Sequence, residues 1–209
     1  LESDLKQDDK FIDTLQDPME LAVAPNGTVF YAQRNGVVRM VPSGKPGVEI
    51  AKVPTFTGLE DGLLGITLDP DFAKNKWLYL NRSLPETTKN DQGKKEGIIR
   101  VSRFTLKGDK LDLESEQAII DIRTQREQCC HVGGSLAFDP KGNLLVAVGD
   151  NTNPFHDKSH PKPRNGYAPI DEREDRSPWD AQKSSANAND LRGAILRVKP
   201  KPDGGYTIP

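Results

Sequence analysis

Short apolar runs broken by turn residues recur along the chain, a pattern of many short strands rather than long helices. From Met19, the run Leu21-Ala22-Val23-Ala24 reaches Pro25-Asn26-Gly27 and leaves through Val29-Phe30-Tyr31-Ala32, which predicts a hairpin; a further strand, Gly36-Val37-Val38-Arg39-Met40, follows. The same order returns at Leu64-Gly65-Ile66-Thr67-Leu68, Asp69-Pro70-Asp71-Phe72, Trp77-Leu78-Tyr79-Leu80 and Gly97-Ile98-Ile99-Arg100-Val101. A third copy runs through Leu136-Ala137-Phe138, Asp139-Pro140-Lys141-Gly142, residues 144–148 and Gly193-Ala194-Ile195-Leu196-Arg197-Val198. Repeats built of short strands read as blades, so the pattern predicts an all-β protein of β-propeller type with about three blades in this chain. Arg39, Arg100 and Arg197 recur at equivalent strand positions and are read as part of the repeat rather than as chemistry.

Residues 1–18 are polar and weakly periodic, a lead-in with Phe11, Ile12 and Leu15 as its anchors; residues 19–209 form the propeller portion. Two insertions, Ser83 to Glu96 and about 151–190, follow the second strand of their units. Loops gathered on one face of a rigid base commonly build a binding site. Three blades leave strand edges open, whereas closed propellers have about four to eight. The chain is therefore read as roughly half of a ring, completed by a C-terminal portion, a partner chain or self-association.

Composition supports this picture. Eighteen Gly and 16 Pro with few aromatics suit a turn-rich β protein, and the sequence contains no run of 18 apolar residues, the length at which a helix would span a bilayer. A formal net charge of -2 with both signs mixed argues against a nucleic-acid or anionic-membrane surface. The chain starts at Leu1 without a Met or signal sequence, which suggests a processed or trimmed product and leaves the compartment unstated. Its two cysteines are adjacent, so no disulfide framework links distant segments.

Candidate chemistry collects around the third hairpin, Ser135 to Val148. Cys129, Cys130 and His131 lead into its first strand and Asp150 leaves its second; in an antiparallel pair such positions are neighbours. A carboxylate beside an imidazole fixes the tautomer and supports a general base, although His131 could be structural and Asp150 could only accept turn hydrogen bonds. Cys129-Cys130 could close a vicinal disulfide beside His131 or remain a pair of buried thiols. His156 and His160 have a helical metal-ligand spacing, but prolines 154, 161 and 163 make a helix improbable there. The run Asp171-Glu172-Arg173-Glu174-Asp175-Arg176 is expected to be a solvated, self-paired loop. The sequons at Asn26 and Asn81 do not inform function.

Gly62-Leu63-Leu64-Gly65-Ile66-Thr67-Leu68-Asp69-Pro70-Asp71-Phe72, with Trp77-Leu78-Tyr79 after it, resembles the early blade signature of the soluble glucose and aldose sugar dehydrogenases that use pyrroloquinoline quinone (PQQ), the glucose/sorbosone dehydrogenase family. His131-Val132-Gly133-Gly134, Gly149-Asp150-Asn151 and Leu191-Arg192-Gly193-Ala194-Ile195-Leu196-Arg197 resemble its next landmarks, in order. The likeness runs from about Met19 to Pro200 and points to the family's N-terminal half. It implies a six-bladed propeller with PQQ over its central face and the sugar above the quinone. His131 matches the base that takes the proton of the anomeric hydroxyl while hydride passes to PQQ, giving a lactone from an aldose or oligosaccharide. Asp150 matches the carboxylate supporting that histidine. Glu60 falls where the family has Gln or Glu at the pocket wall, so Glu60 and His131 are the implied cofactor contacts; Glu60-Asp61 before a glycine could equally shape a turn. The family's arginine-asparagine pair and its calcium ligands are expected beyond Pro209. The insertion from Phe155 to Ala188 is longer than in simple members and resembles larger periplasmic relatives, often fused to a haem c domain. The resemblance thus implies a periplasmic or secreted enzyme that passes electrons to an acceptor such as a c-type cytochrome.

Two rival functions fit the same sequence. One is a propeller module that binds carbohydrate or protein without turnover; the other uses His131 for hydrolysis or elimination, and is weakened by the lack of a nucleophilic serine motif.

Overall fold

A computed structural model of the protein describes residues 16–153, 155, 160–163 and 169–209; Phe11, Ile12 and Leu15 lie outside them. Three antiparallel sheets follow one another along the chain. The first orders β1 (Pro18–Val23), β2 (Val29–Gln33), β3 (Val37–Val41) and β4 (Val48–Lys52) as they occur in sequence. The second has β5 (Leu63–Leu68), β6 (Trp77–Ser83), β8 (Lys95–Lys107) and β9 (Lys110–Gln125), with the two-residue β7 (Thr88–Lys89) paired to the start of β8. The third repeats the simple order: β10 (Gly133–Phe138), β11 (Leu144–Val148), β12 (Ala194–Pro200) and β13 (Tyr206–Thr207). These are three propeller blades, all-β as the pattern predicts.

Each first hairpin turns on a side chain that captures backbone amides. Asn26 Oδ1 accepts from the Thr28 amide at 3.1 Å, Asp69 Oδ1 from Asp71 at 2.9 Å, and Asp139 Oδ1 from Lys141 at 2.8 Å and Asn143 at 2.9 Å. Asx turns of this kind let a tight reversal satisfy its own donors. In the second blade the turn is extended by a one-turn helix, α1 (Phe72–Asn75), whose Phe72 ring meets Phe30 edge-on at 5.4 Å.

The period-two alternation of strands builds the core between sheets. Leu63, Ile66, Leu78 and Leu80 point to the first sheet, where Phe30, Ala32, Val38 and Ile50 meet them. Leu64 and Tyr79 point the opposite way, into a second layer with Val132, Leu136, Leu144, Val146 and Val148. The middle blade is thus covered on both faces. The outer blades are covered on one: Leu21 of β1 is 62% exposed and Ile195 of β12 is 74% exposed.

The sequence pattern does not include the outermost strands β4, β9 and β13: β4 and β9 mix charged residues into their apolar positions, and β13 is two residues long. The first insertion is also shorter than Ser83 to Glu96, since Ser83 ends β6 while Lys95 and Glu96 already belong to β8. Arg39, Arg100 and Arg197 all lie in third strands; Arg100 grips Asp121 with two bonds of 2.7 Å and Arg197 bonds Asp139. Asn81 of the second sequon is buried in β6.

At the inner edge, Glu20 of β1 reaches both other sheets. Its carboxylate accepts from the Ile66 amide at 2.8 Å, from the Leu136 amide at 3.2 Å and from the Ser135 hydroxyl. Bulges in β5 and β10 leave these donors facing the inner edge. Gly65 keeps the approach close, because a Cβ there would overlap the Gly134 carbonyl.

Candidate active site

Pairing between β10 and β11 continues beyond the strands. Gly133 lies opposite Val148, then the Gly149 amide donates to Val132 O and the Asn151 amide to His131 O, both at 3.0 Å. Only glycine fits at 149, where a Cβ would meet the His131 carbonyl. This extended ladder sets the His131 and Asp150 side chains together. His131 Nδ1 lies 2.9 Å from Asp150 Oδ1 and 3.1 Å from Thr152 Oγ1.

Thr152 also donates to Asp150 Oδ1 through its amide at 3.0 Å and its hydroxyl at 2.9 Å. Burial works to raise the Asp150 carboxyl, but the Thr152 bonds and His131 outweigh it and hold the group below its ordinary value. An ionised Asp150 accepts the Nδ1 proton and directs the other ring nitrogen, Nε2, away from itself. The imidazole is about one-third exposed and so reachable.

His131 has a left-handed backbone with φ 62°, as does Asn151 with φ 60°. A non-glycine residue in that region is costly and is held only by its surroundings. Here Glu60 Oε2 accepts the His131 amide at 2.7 Å from 71 residues away, while Asn151 holds the carbonyl. Glu60 therefore sits beside His131, bonded to its backbone. Cys129 and Cys130 are joined as a vicinal disulfide across a cis peptide, and the Cys130 amide donates to Thr152 O at 3.3 Å. Among the described residues, the cluster of potential metal ligands is Glu60 with these two sulfurs, and sulfurs bonded to each other offer no thiolates.

Behind Glu60, Asp61 and Arg126 are both buried, with Arg126 Nε 3.9 Å from Asp61 Oδ1. Burial raises the Asp61 carboxyl. The Arg126 guanidinium donates to Leu84 O and Glu86 O, at 2.7 Å each, and stacks on Phe56 at 4.2 Å, tying the first insertion to the floor of the site. No sequence motif marked Arg126; its signal is only a lone arginine ending a strand pattern.

The second insertion corrects one expectation. The run 171–176 is self-paired, since Arg173 and Arg176 both bind Asp171, but only part of it is solvated: Glu172, Glu174 and Asp175 are exposed, whereas Asp171 and Arg176 are buried and Arg176 stacks on Trp179. An aromatic within reach of the loop supplies the apolar cover that the local charge pattern hides. His156 lies outside the described residues; His160 contacts the Lys162 and Glu174 carbonyls. No helix among the described residues is long and apolar enough to cross a membrane.

The sequence pattern of the family described as Glucose / Sorbosone dehydrogenase matches residues 15–204. The aldose sugar dehydrogenase YliI of Escherichia coli K12 is 30% identical over 148 residues, covering 66% of this chain and 37% of that protein. The human Hedgehog-interacting protein is 27% identical over 134 residues, 61% of this chain and 17% of its own length. A PQQ-bound aldose sugar dehydrogenase from Streptomyces coelicolor superposes with a TM-score of 0.58 at 23% identity, over 91% of this chain and 46% of that one, a likeness of fold. The chain thus spans less than half the length of each of these relatives. With a family match over nearly all its residues and three blades of the same propeller, this chain belongs to the glucose/sorbosone dehydrogenase family.

Proposed function

We propose that the chain is the N-terminal half of a quinoprotein sugar dehydrogenase and supplies its general base. The observation that carries this reading is the His131–Asp150 pair, at 2.9 Å, on a backbone fixed from both sides by Glu60 and Asn151. Asp150 holds the proton on Nδ1, so Nε2 is the atom that takes the proton of a sugar C1 hydroxyl. Thr152 keeps Asp150 ionised and oriented through that transfer. Product at the oxidation level of a lactone follows from removing that proton and the C1 hydrogen with its bonding electron pair, a net loss of two electrons and two protons.

The residues suit a planar, polyanionic quinone such as PQQ. His131 is reachable, the compact Cys129–Cys130 pair lies beside it, and Arg34, held by the Thr57 and Leu59 carbonyls, brings a cation to the Glu60 loop. His131 and Glu60 would border the cofactor, which when bound supplies the two-electron acceptor. Calcium and the remaining cofactor contacts come, in this reading, from the rest of the propeller, and electrons leave to an acceptor such as a c-type cytochrome. A vicinal disulfide supports a periplasmic or secreted setting.

A second reading, a non-catalytic propeller module, is favoured by the similarity to Hedgehog-interacting protein, named for binding rather than turnover. One experiment separates them. In the full-length protein reconstituted with PQQ and calcium, His131→Ala should lower sugar-dependent dye reduction by about 10²–10⁴-fold while PQQ still binds by absorbance. Undiminished turnover overturns the base assignment, and a wild type that binds carbohydrate or protein without turnover favours the module.

A further inference from the structure

The loop that carries His131 is held from a direction the family signature does not include. Gln125 closes the turn before it: its Oε1 accepts the amides of Glu127 at 2.9 Å and Gln128 at 3.0 Å, and its Nε2 donates to Gln128 O at 2.7 Å. Gln128, next to Cys129, then projects toward the second insertion. Its Oε1 accepts from Arg176 Nη2 at 3.0 Å and from Asn153 Nδ2. Arg176 is buried, bonds Asp171 through Nε at 3.1 Å and lies 4.1 Å over the Trp179 ring. A guanidinium fixed on two sides has little rotamer freedom left, so its remaining fork is a preset donor.

We propose that Arg176 is a positioning residue for His131, acting through Gln128, so that the second insertion sets the geometry of the loop 128–131. This rests on His131 being the base. A buried charged donor on an amide oxygen makes a bond stronger than a neutral pair, and it meets the loop one residue before the disulfide. The ladder to residues 149–152 and the Glu60 bond fix the loop at residues 130–132; Arg176 adds a hold at its entry, on the Gln128 side chain. The Asp171–Arg176–Trp179 cluster is thus the support of the loop as well as the core of the insertion.

The test is a double-mutant cycle in the full-length protein with Gln128→Ala, Arg176→Ala and both together. Hydrogen exchange at the amides of residues 130–132 and the kcat and KM for glucose are followed in each. Each single change is expected to speed exchange at these amides about tenfold and lower kcat by a similar factor with KM little changed, and the double variant should be no worse than either. Gln128→Ala leaves Asp171, Arg176 and Trp179 in place, so it decides the matter if Arg176→Ala fails to fold. Unchanged exchange at 130–132, additive effects, or faster exchange with kcat intact each overturn the proposal. Should the wild type oxidise no sugar, the base reading fails by itself, and the exchange cycle still decides whether Arg176 holds the loop.

Discussion

Three neighbours set the geometry of His131, the base of the proposed reaction: Asp150 at Nδ1, Thr152 on that carboxylate, and Glu60 on the left-handed backbone. Asp150→Asn keeps the shape but removes the charge, and an amide can offer Nδ1 a proton instead of accepting one. Turnover is expected to fall roughly 10²–10⁴-fold with binding retained, read as a drop in kcat. The same carboxyl links stability to pH. Its folded value lies below its unfolded one, so its stabilisation is present above the ordinary carboxylate range and is lost as pH falls through the lowered value. Urea midpoints of wild type and Asp150→Asn should therefore converge in acid. At the neighbouring pair, mass spectrometry of the unreduced peptide holding Cys129 and Cys130 should read two hydrogens below the dithiol mass.

The third hairpin shows how an element is specified by its turn. Asp139 collects the amides of Lys141 and Asn143 and the Asn143 side chain, and these bonds hold its carboxyl down at about 2. A depressed value contributes stability above the usual carboxylate range that disappears as pH drops toward about 2. Asp139→Ala should lower the thermal midpoint at neutral pH and lose most of that difference at the acid end, as followed by circular dichroism. The turn was readable because Asp-Pro-Lys-Gly has a local reason at each position, and so was the pairing it forces on His131 and Asp150. Glu60 was placed near the site only by resemblance. Its bond to the His131 amide spans 71 residues, and nothing in the local pattern encodes such a contact. Arg176 was misread as solvated for the same reason, since the Trp179 that covers it is visible only once the insertion is folded.

Across the whole molecule, three blades meet through one carboxylate. Glu20→Ala would orphan the amides of buried Ile66 and Leu136 in two other sheets and leave the exposed Ser135 hydroxyl to water, with an expected loss of about 1–3 kcal/mol in denaturant titration at unchanged m. Glu20→Gln, which keeps an acceptor, should lose less. The end faces carry a different message. Leu21 and Ile195 are exposed where every interior blade face is covered, which agrees with a ring continued by further blades.

The sequence by itself determined the blades, their hairpin turns and the meeting of His131 with Asp150, because each follows from periodicity and from turn chemistry between residues close in the chain. Only the tertiary structure decided that Glu20 ties three sheets, that Glu60 holds the His131 backbone, and that Arg176 and Arg126 are buried supports. Those contacts join segments tens of residues apart, and burial, which gives them their strength, is a property of the assembled sheets rather than of any local stretch.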